Sequence, residues 1–172
     1  AALGAKERPH IFTHNFVGAN SGVPGMFSDE EKVTMAQERL KHAAQISVVM
    51  KDDTTARVVV ANTGAGHTLP TGVSDLRQVW IEIILTDSAG KAVFRTGIPD
   101  GNNELPEETV MFKVTFGDGL GNPVINMAQS KEILSDTRIP AGKSAVRLFN
   151  LKTTPQKGYT LTARLLYRSM PQ

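Results

Sequence analysis

The sequence predicts a mainly β chain, an antiparallel β-sandwich of about seven to nine strands preceded by an N-terminal extended arm and one amphipathic helix. Three observations carry this prediction. After residue 44 the apolar residues recur at every second position, where before they recurred every third or fourth. Turn residues interrupt the alternating runs at short intervals. No linker or change of composition marks a further domain, so the chain divides into an arm (1–27), a helix (28–44) and the sandwich (45–172).

The arm, AALGAKERPHIFTHNFVGANSGVPGMF, holds four glycines, two prolines and three phenylalanines without sustained periodicity. Ile11, Phe12, Phe16, Val17, Met26 and Phe27 are more apolar surface than a disordered tail carries, so the arm is expected to be extended with its aromatics docked. The helix SDEEKVTMAQERLKHAA opens on Ser28 and Glu31, spaced as a capping box, with Asp29 and Glu30 suited to the positive end of the helix dipole. Val33, Ala36, Leu40 and Ala43 fall near one face. His42 lies in the last turn, where a partial positive charge is favourable.

The strands follow in order. QISVVMK and ARVVVAN flank DDTT and predict a hairpin. RQVWIEIILTD puts Val79, Ile81, Ile83 and Leu85 on one face, with Glu82 and Thr86 on an opposite, polar face. DSAGKAVFRTG turns at Ser88-Ala89-Gly90 into the next strand, and TVMFKVTF alternates as one strand. YTLTARLLYRS closes the set, with weaker runs in PVINMAQ and SAVRLFNL. PDGNNELPEE, residues 99–108, is a long polar loop.

Composition removes several function classes. A formal charge of +2 and no basic run interleaved with aromatics leave nucleic acid without an electrostatic footprint. The absence of cysteine excludes a disulfide framework, a thiol nucleophile, a Cys-ligated metal and the C-x-x-C-H attachment of haem. No apolar stretch is long enough to span a bilayer, and the small-residue start AALGA suits a cleaved secretion signal. No G-x-S-x-G or HExxH occurs, and Glu104, Glu107 and Glu108 form a solvated cluster, so an independent enzyme is not expected. Six methionines without a closely spaced run argue against a Cu(I) site.

One stretch remains, ANTGAGHTLPTG at residues 61–72. Its glycines do not open a helix, so a dinucleotide fingerprint fails. Gly64 and Gly66 precede His67, and Pro70 stiffens the chain after it. By residue chemistry alone His67 is a structural loop residue before it is a ligand, although a stiff carrier is what a ligating imidazole needs. His10 and His14, four apart in HIFTHNF, lie on the arm rather than on a helix, and their spacing is uninformative.

The ordered set HNFVGAN, ANTGAGHTLPTG, LRQVWIEIILTDSAGKAVFRTG, RIPAGKS and LTARLLYRS resembles the C-terminal β-rich portion of bacterial multihaem c-type cytochromes, over about His14 to Arg168. The resemblance implies a haem-poor β-sandwich serving periplasmic or extracellular electron transfer, beside segments that carry the haems. It implies that His14 and His67 serve as distal axial ligands to haem iron, and that Arg77 is a cationic partner for a haem propionate. Because this chain has no C-x-x-C-H, any haem c it touches is held covalently by another polypeptide or segment. A haem-carrying segment or subunit is therefore the expected partner, and the expected location is periplasmic or extracellular. Two rivals stay open: a structural or adhesive secreted β-sandwich without redox role, and a metal-binding module.

Overall fold

The computed structural model describes residues 17–72 and 76–169. The chain forms two compact units, Ala1–Arg39 and Leu40–Gln172.

In the first unit, residues 22–26 depart from the extended arm expected there: Gly22–Met26 is a short helix, α1. The Asn20 side chain accepts the N–H groups of Gly22 at 2.9 Å and Val23 at 3.3 Å. Pro24 falls in the first turn, where a missing N–H costs nothing. The helix closes with Ser28 N–H on the Gly25 carbonyl and Asp29 N–H on the Pro24 carbonyl, and Ser28 takes a left-handed φ of 55°. This paired helix-end motif uses up Ser28. The cap of the long helix α2, Glu30–Ala43, therefore moves one residue on: the Asp29 carboxylate accepts Lys32 N–H at 3.1 Å and pairs with the Lys32 ammonium at 2.8 Å. Met26 and Phe27, expected to be covered, are 84% and 80% exposed.

The second unit is mainly β, with ten strands among the described residues: β1 (Gln45–Met50), β2 (Thr55–Ala61), β3 (Gln78–Thr86), β4 (Ala92–Thr96), β5 (Met111–Phe112), β6 (Val114–Gly117), β7 (Pro123–Val124), β8 (Glu132–Asp136), β9 (Ser144–Asn150) and β10 (Thr160–Arg168). They make three antiparallel sheets, ordered β1-β2-β9, β10-β3-β4 with β5 also on β3, and β7-β6-β8. The first two sheets bury one cluster, to which β2 gives Ala56, Val58 and Val60 and β3 gives Val79, Ile81, Ile83 and Leu85. Phe112, Ile139, Phe149 and Leu151 complete it. The period-2 pattern thus produces the sandwich it predicts, with one face of each strand turned to a shared core.

Three features differ from the alternation reading. TVMFKVTF is two strands, because the chain changes sheets at Lys113. There the Thr137 hydroxyl donates to the Met111 and Lys113 carbonyls and accepts Lys113 N–H, holding the junction in place of a ladder. PVINMAQ keeps only the two residues of β7 and a 3₁₀ turn at Met127–Gln129, while β8 forms in a run the alternation did not mark. Finally, Glu82 is not on a solvated face; it is 6% exposed, and Val79, Trp80, Ile81 and Ile83 around it are buried too. β3 is the central strand, and its second face is roofed by the segment after β4. Trp80 donates its indole N–H to the Gly97 carbonyl at 2.8 Å, and Arg168 lies 5.5 Å over the Trp80 ring while donating to the Asn103 carbonyl at 2.6 Å.

The third sheet carries a testable pH dependence. On β8 the Asp136 carboxylate takes a two-pronged contact from Arg138, 2.9 Å from Nε and 2.6 Å from Nη2, which holds its pKa below the usual carboxylate value. A depressed folded pKa contributes stability above the unfolded pKa, near ~3.9, and that stability is lost as pH falls through the lower folded value. Arg138→Ala is therefore expected to reduce the loss of stability as pH falls from about 5 through the carboxylate range, relative to the unsubstituted protein. Urea midpoints across that window measure it, and identical pH profiles would remove the pair from the account.

Candidate functional site

The loop of residues 62–72 is built around Asn62, which ends the β2 run and is only 2% exposed. Its side-chain N–H groups donate to the His67 carbonyl at 2.7 Å and the Ile139 carbonyl at 2.8 Å, and its amide oxygen accepts Ala65 N–H at 3.3 Å. A second brace comes from α2. Gly64 N–H and Ala65 N–H both donate to the Ala43 carbonyl at 3.1 Å, satisfying an acceptor that a helix end leaves open. A third is a two-residue bridge, with Leu69 and Ile139 exchanging N–H···O bonds of 2.8 and 2.9 Å. Pro70 follows through a cis peptide and is buried.

His67 stands at the exposed crest of this loop. Its Nδ1 lies 3.0 Å from the Thr68 carbonyl oxygen. A carbonyl can only accept, so Nδ1 carries the proton, and in the neutral ring Nε2 keeps its lone pair. One imidazole is thus offered in a single tautomer from a backbone fixed on three sides, which is how proteins orient a ligating histidine. Asn62→Ala is expected to cost about 2 kcal/mol, because the His67 and Ile139 carbonyls lose their buried donors. Urea unfolding measures the cost, and faster amide exchange at residues 64–68 should accompany it.

Arg77 returns to the same loop. Its Nη1 donates to the Thr71 carbonyl at 2.6 Å, and its guanidinium lies against Gly72, which has φ of +79°. A side chain added at Gly72 would meet Arg77 Nη1 at 2.9 Å. His14 and His10 lie outside the described residues. The structure therefore brings His67 and Arg77 to one loop. Among the described residues no group of three or more His, Asp or Glu side chains could hold a metal ion. With no cysteine in the sequence, what the loop offers is one exposed imidazole nitrogen as a donor.

Leu69 and Ile46 also line an apolar cavity of about 390 Å³, with Leu40, Val79, Leu165 and Tyr167. Burial pushes the Tyr167 phenol up, and its hydroxyl has no hydrogen-bond partner among the described residues. The sequence reading names His67 and Arg77 but not Asn62, whose signal is a polar residue closing the alternating run ARVVVAN just before the glycines.

The chain's architecture has a known counterpart. The chain is similar to a penta-haem cytochrome c552 from Thermochromatium tepidum, solved by crystallography, with a TM-score of 0.60 and 18% sequence identity. The match covers 78% of this chain but 34% of that cytochrome. The two share a fold. No protein-family model matches the chain, and no curated protein matches it. No helix among the described residues is long and apolar enough to cross a membrane.

Proposed function

We propose that this chain is a haem-free β domain of a multihaem electron-transfer system, placed outside the cytoplasm, that presents His67 to the iron of a haem c held covalently by neighbouring polypeptide. The role is binding and insulation rather than catalysis. The observation that carries it is the exposed, single-tautomer imidazole on a loop braced by Asn62, α2 and Ile139. The shared fold with a penta-haem cytochrome supports it.

On this reading Nε2 is the donor atom, and the Nδ1–H bond to the Thr68 carbonyl fixes the ring. Arg77, anchored at Nη1, keeps N–H groups for a carboxylate of the propionate type. Haem with two imidazole ligands supplies one-electron exchange without an open coordination position. His14 is the proposed ligand from the N-terminal segment.

A ferric haem peptide that carries its own histidine and has one open axial position tests the assignment on the full chain. Excess protein is expected to convert the peptide from high spin to low spin, read in its absorption and EPR spectra. His67→Ala should lose most of that conversion, and His14→Ala measures the share of the second histidine. Equal conversion by the wild-type chain and His67→Ala, or none by either, rules the reading out.

A further inference from the structure

A second site lies where the chain changes sheets. A cleft of about 230 Å³ opens between the β5–β6 junction, β7 and the start of β3. Its walls are apolar: Phe112 and Val114 are buried beneath it, and Met111, Phe116, Val124 and Ile125 line it. Among the described residues its charged lining is of one sign, Arg77 and Lys113, with no acidic residue beside them.

Arg77 is held by its side chain and Lys113 by its backbone. Arg77 is fixed by its Nη1 bond to the Thr71 carbonyl, which leaves other guanidinium N–H groups available. Lys113 is exposed, but its backbone is clamped from both directions, its N–H on the Thr137 hydroxyl at 3.0 Å and its carbonyl on Thr137 N–H at 2.9 Å. An anchored guanidinium and an exposed ammonium beside an apolar hollow are complementary to a small amphipathic anion. Ordinary small-molecule pockets run to about 300–1,000 Å³, so the volume selects a ligand at the small end of that range.

We infer that this cleft binds a small amphipathic carboxylate, with its flat apolar body against Met111, Phe116 and Val124 and its carboxylate beside Arg77 and Lys113. The site shares Arg77 with the loop that carries His67 but does not use the imidazole, and the inference stands whether or not that histidine ligates iron. The partner chemistry follows from charge and shape: the apolar walls supply burial, and the cations discriminate an acid from its neutral isostere.

Titration of the ¹⁵N-labelled full chain with 2-naphthoate, followed by two-dimensional NMR, tests it against 2-naphthamide, which has the same ring and no charge. Naphthoate is expected to give saturable shifts at the amides of residues 111–116, 124 and 125, and to bind about tenfold more tightly than the amide. Lys113→Met should remove most of that preference while leaving naphthamide binding unchanged. Acid and amide binding alike, saturable shifts that map elsewhere, or no saturation by naphthoate would each overturn the assignment.

Discussion

Gly64→Ala is expected to destabilise the protein by about 3 kcal/mol, a large cost for one methyl group. The reason is a close approach, not backbone conformation. A Cβ at this position would penetrate the His42 carbonyl oxygen and sit 3.0 Å from its carbon. Those atoms belong to the last turn of α2 and cannot yield without breaking helix bonds, so the loop must lift instead. Lifting it breaks the Gly64 and Ala65 N–H bonds to the Ala43 carbonyl. Gly66 supplies the control. It has φ of +70°, and nothing lies within 4 Å of an added Cβ, so Gly66→Ala costs only the left-handed strain of about 1–2 kcal/mol. Urea midpoints should rank the wild-type chain above Gly66→Ala and that above Gly64→Ala. In the haem-peptide titration Gly64→Ala should also weaken low-spin conversion, since His67 loses its seat. A Gly64→Ala protein as stable as Gly66→Ala would mean that the loop is not seated on the helix at all.

Why the loop needs its glycines shows what a sequence can and cannot disclose. The stiffness after His67 is legible, because Pro70 acts on its own backbone. The rest of the bracing is not, because Ile139 and Ala43 come from distant parts of the chain and Asn62, five residues before His67, acts through a side-chain bond the spacing does not show. β1, β2, β3 and β10 are equally legible, since each puts apolar residues at every second position on its core side. β5 and β6 keep that period through Lys113 although they belong to different sheets, because alternation records which side chains face inward, not which neighbour the backbone pairs with. Ser28 mimics an N-cap because the same residue closes α1, and only the preceding turn shows which helix owns it. Glu82 misleads for a related reason. A polar residue in an alternating strand signals a solvated face, unless a later segment covers that face and a partner arrives from another strand. Arg164 is that partner, 82 residues further on.

That pair sets the last large effect. Arg164 stands directly across from Glu82 in the β3–β10 register and contacts its Oε1 from both Nε and Nη2 at 2.5 Å. The burial is lopsided: the Glu82 side chain is 7% exposed and that of Arg164 is 56% exposed. Removing the arginine therefore strands a buried carboxylate, whereas the arginine itself is already well solvated. Arg164→Leu is expected to cost about 3 kcal/mol, and Glu82→Leu alone should cost clearly less. The double substitution to leucine should recover most of the Arg164→Leu loss, because a pair of well-packed apolar side chains often replaces a buried ion pair without penalty. Urea denaturation of the four proteins closes the cycle and isolates the coupling between the two residues. If the single losses simply add in the double variant, the carboxylate is solvated from another side and the second face of β3 is open to water.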